Sequence, residues 1–273
     1  MSYFNGKTAV ITGAGSGIGR ALATALNGAG CALYLSDING DTLADTVAAL
    51  PRKDIDVDTH VLDVADRNAV HAWADTIAAR SAHVDIVVNN AGVALIDTVE
   101  DGNYEDLEWL MGINFWGVVY GTKAFLPLLR QSTQGHLVNI SSIFGMIGVP
   151  TQSAYNAAKF AVRGYTEALR QEMADTNVHV CCVHPGGIKT NIAQAARGGA
   201  EDITAQERGD RFKDMARTTP EQAADKILGA IEKRKKRLLI GADAYLISLV
   251  TRLFPVAYGS IIARMAPTEP DKI

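Results

Sequence analysis

Tyr155 and Lys159 stand four residues apart, and Ser142 lies upstream in the pattern S-x12-Y-x3-K. Residues four apart on a helix share a face. A phenol ionises near pH 10 in water, so it is a poor base at neutral pH. A neighbouring ammonium favours the phenolate. A tyrosine placed in this way can take a proton from a hydroxyl group and return it to a carbonyl oxygen. A serine hydroxyl can hydrogen-bond that same oxygen. Alone, the Tyr/Lys pair says little, because the two often fall four apart on exposed helices. Its weight depends on what precedes it in the chain.

Thr12-Gly13-Ala14-Gly15-Ser16-Gly17-Ile18-Gly19 follows a short apolar run and opens a helical pattern. Gly13, Gly17 and Gly19 let the backbone turn sharply and let a pyrophosphate approach a helix N-terminus. Ser16 and Ile18 belong to the same turn. Gly-rich turns are common, and the position between strand and helix is what strengthens the reading of this one as a dinucleotide loop. Asp37 ends the next apolar run. A carboxylate there can accept from both ribose hydroxyls and repels a 2′-phosphate. Neither Ser16 nor Ile38 is a basic residue that could receive such a phosphate. The expected cofactor is therefore NAD, not NADP. The other reading of Asp37 is a turn residue before Asn39-Gly40.

These groups need elements to position them. Apolar runs at 8–12, 31–36, 57–64, 84–89, 137–141, 178–183 and 238–240 read as strands. Helical patterns lie between them at 18–29, 41–50, 67–79, 105–129, 154–173 and 220–233. This alternation predicts an α/β fold, a Rossmann-like doubly wound parallel sheet with helices on both faces. The 273 residues fit a single domain. The polar, poorly patterned stretch 191–219 reads as a lid or binding loop, or else as a surface excursion. The stretch 244–265 reads as two short amphipathic helices. Leu246, Leu249, Val250 and Leu253 form one apolar face, and Tyr258, Ile261, Ile262 and Met265 repeat the spacing. These faces are expected to cover a substrate pocket or a subunit neighbour. Membrane-surface attachment is weighed below both, because the segment carries few charges.

The formal net charge of −4 gives no global attraction for nucleic acid. The three cysteines, Cys31, Cys181 and Cys182, are too few for a disulfide framework. Reduced thiols and a cytoplasmic location are expected. The six histidines show no metal-ligand spacing, so no metal is expected. The basic run Lys233-Arg234-Lys235-Lys236-Arg237 complements a helix C-terminus. A polyanion or membrane contact is the alternative for that run.

Taken in order, these motifs resemble the short-chain dehydrogenase/reductase family over about residues 7–240. Further matches carry the resemblance. Asn89-Asn90-Ala91-Gly92 matches the family's N-N-A-G, and Asp63-Val64 its adenine-contacting pair. Asn114 matches a helix asparagine, which implies a water relaying protons to Lys159. Pro185-Gly186 matches its P-G, so Ile188 and Thr190 would face the nicotinamide carboxamide. The resemblance implies that Ser142, Tyr155, Lys159 and Asn114 are catalytic. It implies cofactor contacts at Asn90, Ala91, Gly92, Tyr155 and Lys159 besides the Gly-rich turn. It also implies a homodimer or homotetramer.

The expected reaction is hydride transfer between NAD and an alcohol or ketone carbon. Val93, Ala94, Leu95, Ile96, Phe144, Met146, Ile147 and Val149 would line an apolar pocket for a hydrophobic substrate, or else would pack the interior. Two other functions stay open at this point. One is an NADP-linked carbonyl or ketoacyl reductase of the same fold. The other is a non-catalytic dinucleotide-binding regulator.

Overall fold

Ala9, Val10 and Ile11 are consecutive apolar residues, so a strand through them must be covered on both faces. The computed structural model, which describes residues 2–199 and 204–265, shows that arrangement. Ala9 and Ile11 join one core and Val10 the other.

The first half of the chain is β1 (Thr8–Thr12), α1 (Gly17–Gly28), β2 (Ala32–Asp37), α2 (Gly40–Ala49), β3 (Val57–Val61), α3 (Arg67–Arg80) and β4 (Ile86–Asn89). Next come β5 (Leu95–Ile96), α4 (Tyr104–Met111), α5 (Gly117–Gln131), β6 (Gly135–Ile140) and α6 (Ser153–Glu172). The rest is β7 (Val178–Pro185), β8 (Arg197–Gly198), α7 (Ala205–Met215), α8 (Pro220–Glu232), β9 (Arg237–Ile240), α9 (Ala242–Leu253) and α10 (Tyr258–Met265).

Seven strands form one sheet in the order β3-β2-β1-β4-β6-β7-β9, and its pairings are parallel. The chain runs outward from β1 to β3 and then returns to place β4 on the other side of β1. The crevice beyond the C-terminal ends of β1 and β4 is thus the topological switch point, where ligands bind in open α/β sheets. On one face, Leu22, Leu26, Leu43, Ile227 and Ile231 from α1, α2 and α8 pack with Ile11, Val88, Cys181 and Ile240. On the other, Trp73, Ile77, Phe125, Leu129 and Leu169 from α3, α5 and α6 pack with Val10, Val87, Leu137 and Val180. This is the doubly wound fold that the alternation predicted. Cys31, Cys181 and Cys182 are buried free thiols. Burial pushes each up to about 12, so they stay unreactive.

Several expectations are corrected. The helix expected over 105–129 is α4 and α5 joined by a π-helical turn, Gly112–Trp116. β3 stops at Val61, which leaves Asp63 and Val64 beyond its end. The stretch 191–219 is not irregular throughout. It contains β8, paired in parallel with β5, and the helix α7, which starts with a Thr204/Glu207 capping box.

The two C-terminal helices form where expected, and the side of α9 that is buried within the chain is its small-residue side. Ala244 and Ser248 are buried, while Leu246, Leu249 and Leu253 are 45%, 55% and 62% exposed. Val250 of the same face is half-buried. The small-residue side packs inward, where Ser248 Oγ accepts from Arg237 Nη2 at 3.4 Å. The side chains of Ile262 and Met265 lie outside the described residues. Among the described residues no helix is long and apolar enough to cross a membrane.

Candidate active site

The turn between β1 and α1 is built for close approach. Gly13 and Gly17 hold left-handed backbone angles, φ 64° and 49°. A Cβ on Gly13 would come 2.8 Å from Ala91 Cα, and one on Gly19 would collide with the Gly13 carbonyl oxygen. Asn90 Nδ2 braces the turn from β4, donating to Thr12 O at 2.9 Å and Gly13 O at 3.1 Å. Ser16 precedes α1 and makes no capping bond. The first N–H groups of α1, from Gly17 through Gly19, therefore have no partner within the helix and can receive an anion. Gly19→Ala is expected to weaken NAD binding roughly tenfold or more, because the turn must open to admit the methyl group. Calorimetric titration with NAD checks this.

Asp37 sits beside that turn with its carboxylate already oriented. Oδ2 accepts the Gly15 N–H at 2.8 Å and Oδ1 the Asn39 N–H at 3.0 Å. Arg20 reaches the same corner but bonds the carbonyls of Gly15 and Thr42 and the Thr46 hydroxyl. Leu62 N–H donates to Asp37 O at 2.9 Å, which brings Asp63 and Val64 alongside. Asp63 Oδ1 accepts the Ala65 N–H at 2.9 Å, and Val64 is buried. Beyond β7, the Gly186 N–H donates to Ile240 O at 2.8 Å. Ile188 is buried and bridges to Thr218. Thr190 Cγ2 lies 3.0 Å from where a Gly17 Cβ would stand. The sheet order thus gathers Gly13–Gly19, Asp37, Asp63–Val64, Asn90–Gly92 and Pro185–Thr190 on one rim.

The side chains of the S-x12-Y-x3-K pattern stand at the same rim. Ser142 follows β6, and Tyr155 and Lys159 share a face of α6. Lys159 is buried, and its Nζ donates to Ile140 O at 3.1 Å and lies 5.6 Å from the Tyr155 ring centroid. A Cβ on Gly92 would stand 3.2 Å from Asn114 Oδ1 and 3.5 Å from Lys159 Nζ, so glycine keeps that space open. Burial pushes the Tyr155 phenol up to about 12, and a hydrogen bond with Ser142 pulls it down. Burial also lowers the Lys159 ammonium to about 8.

Lys159 has no carboxylate within bonding reach among the described residues, so it is a buried cation held by a carbonyl. Its native state resists protonation more than the unfolded chain does. The destabilisation is full below pH 8 and is relieved as pH rises through 8 towards 10.5. Lys159→Met is expected to abolish turnover yet raise Tm at pH 7, by about 3 °C for each kcal/mol of desolvation relieved. That gain should shrink above pH 8 in thermal unfolding scans.

Asn114 lies in the π-helical turn, and both ends of its amide are taken. Oδ1 accepts the Val93 N–H at 2.8 Å and Nδ2 donates to Val93 O at 2.9 Å. Among the expected lining residues, Val93, Ala94, Ile96, Phe144 and Val149 are half-buried. Leu95, Met146 and Ile147 are buried in the interior instead. The Phe144 ring meets Tyr155 edge-on at 5.9 Å.

Sequence reasoning passed over several supporting residues. Thr12 Oγ1 accepts the N–H groups of Asn90 and Ala91 at 3.0 and 3.1 Å. Ser141 Oγ donates to Lys159 O at 2.8 Å. Asn156 holds the loop after β6 by three bonds, to Phe144 O, Ile147 O and the Val149 N–H. Asp243 Oδ2 accepts the Gly187 N–H at 2.8 Å. The signal for Thr12, Ser141 and Asn156 was their adjacency to a motif; Asp243 had none.

Comparison with known proteins adds to this geometry. Residues 7–201 match the family model described as short chain dehydrogenase. A Mycobacterium tuberculosis chain, SadH, classed as an oxidoreductase, is 49% identical over 267 residues, 96% of each chain. A cyclopentanol dehydrogenase of Comamonas is 37% identical over 194 residues, 71% of this chain and 78% of that one. The crystal structure of a short chain dehydrogenase/reductase from Burkholderia phymatum in complex with NAD superposes with a TM-score of 0.81, at 30% identity, with 100% of both chains covered.

Proposed function

The chain belongs to the short-chain dehydrogenase/reductase family of oxidoreductases, and from that premise we propose that it moves a hydride between NAD and the carbinol carbon of a hydrophobic secondary alcohol or its ketone. The observation that carries this reading is the meeting of Tyr155, Ser142 and Lys159 on the rim that also holds the glycine turn and Asp37. The glycines fit a dinucleotide, since a side chain at Gly13 or Gly19 would fill the cradle. The turn and the α1 N-terminus would hold the pyrophosphate, Asp37 the ribose hydroxyls, and Ile188 and Thr190 the carboxamide. When bound, NAD supplies the hydride acceptor.

This chain's residues handle the proton and the substrate. Ser142 orients the alcohol oxygen by a hydrogen bond. Tyr155 takes the hydroxyl proton during oxidation and returns it during reduction. Lys159 stabilises the phenolate by its charge. Asn114 fixes Val93 and so one wall of the pocket. Phe144, Val93, Ala94, Ile96 and Val149 make the pocket apolar. The partner expected in solution is a second copy of the chain, as a dimer or tetramer. Trp116 and Phe160, exposed at 46% and 42%, are the kind of residues such a contact covers.

The test is NAD reduction against aliphatic, cyclic and steroid secondary alcohols. Turnover that favours apolar cyclic or long-chain members is expected. Preference for small polar alcohols would overturn the substrate reading.

A further inference from the structure

The segment between β7 and α7 does not lie free over the pocket. Its β8 pairs with β5, Leu95 against Arg197 and Ile96 against Gly198. The Arg197 N–H donates to Ala94 O at 3.1 Å, and the Gly199 N–H to Ile96 O at 2.8 Å. A two-residue pairing is weak by itself. Arg197 adds a side-chain tie across to α4. Its Nη1 donates to Asp106 Oδ1 at 2.7 Å, and its guanidinium lies 3.7 Å from the Trp109 ring centroid. Trp109 and Tyr155 both pack on the cluster that contains Leu95, Leu110, Ala154 and Ala158. Asp106 is itself held by Asn103 Nδ2 at 2.9 Å. From the other side, Arg208 of α7 bonds the carbonyls of Ala193, Ala196 and Gly198 at 3.0 to 3.2 Å. Residues 193–198 are thereby tied to α7.

The strip it docks on is fixed at both ends. Asn114 holds Val93. At the far end the Asp97 N–H donates to Thr151 O at 2.9 Å, just before α6. Thr151 has φ 62°, a left-handed conformation that a β-branched residue rarely adopts. One strip thus joins the docked segment, Asn114 and the start of the helix that carries Tyr155.

We propose that Arg197 is a latch and a positioning residue: it seats residues 191–199 against β5 and so closes the wall of the pocket around the apolar part of the substrate. This rests on the dehydrogenase reading for its substrate and on the Arg197, Asp106 and Trp109 geometry for the latch.

The test compares wild type with Arg197→Ala, Arg197→Lys and Asp106→Asn, by amide hydrogen exchange and by steady-state kinetics with the best alcohol of the panel. For Arg197→Ala, exchange at the amides of residues 197 and 199 should speed up roughly tenfold, the scale of a lost ion pair and cation–π contact together. The alcohol KM should rise by a similar factor and carry most of the loss, with less change in kcat. Arg197→Lys should restore part of both, because it keeps the charge but not the planar stack. Asp106→Asn should fall between. Wild-type exchange and KM in Arg197→Ala would overturn the latch. Faster exchange with an unmoved KM would overturn its positioning role. Faster exchange in a protein that oxidises no alcohol and reduces no ketone would uphold the latch and sink the dehydrogenase reading instead.

Discussion

Tyr155→Phe is expected to lower turnover by roughly 100-fold or more, the usual scale for losing a positioned acid/base, while NAD binding stays near wild type. In the proposed mechanism the phenol oxygen exchanges a proton with the substrate, and the ring is what packs with Phe144. Phenylalanine keeps the ring and loses the oxygen. Burial holds the phenol up to about 12. It therefore needs help to act near neutral pH, and Lys159 is the cation beside it. Parallel measurement of kcat and of NAD affinity by titration checks the claim. A variant with wild-type kcat would remove Tyr155 from the chemistry.

The second large effect concerns cofactor choice. Asp37→Ser combined with Ile38→Arg is expected to shift the NADP to NAD ratio of kcat/KM by about 100-fold towards NADP. The carboxylate would repel a 2′-phosphate, and the new guanidinium would pair with it. Serine is chosen over alanine because Asp37 accepts the backbone N–H groups of Gly15 and Asn39, and a hydroxyl can keep one of those bonds. Ile38 is 65% exposed, so an arginine there disturbs little packing. Kinetics with both cofactors on both proteins decide it. A wild-type protein that already prefers NADP would refute the role given to Asp37.

Much of the architecture was legible because its signals are local and periodic. Runs such as Ile86-Val87-Val88, apolar on both sides, announce a buried parallel strand, and Gly13–Gly19 announce the turn that follows β1. The Ser142, Tyr155 and Lys159 spacing was readable because the fold brings a strand end and one helix face together. What escaped had no periodic signal. The π-helical turn at Gly112–Trp116 sits inside one continuous helical pattern, with no proline to mark it. β5 and β8 are two residues each, too short for any alternation. α7 has only Gly209 buried, so it carries no apolar stripe. In α9 the stripe was real but its direction was not readable. Periodicity shows that Leu246, Leu249 and Leu253 share a face, not what that face meets. Met146 and Ile147 were ambiguous for the same reason, since an apolar residue near a pocket can line it or pack behind it.

The most direct test of the central claim follows a label. The best alcohol of the panel, deuterated at its carbinol carbon, is oxidised in ordinary water with NAD, and the reduced nicotinamide is analysed by mass spectrometry. The expected result is deuterium in the nicotinamide on each turnover, with Tyr155→Phe slowing its appearance. Reduced nicotinamide without deuterium, or no reduction with any alcohol tried, would contradict direct hydride transfer at this site.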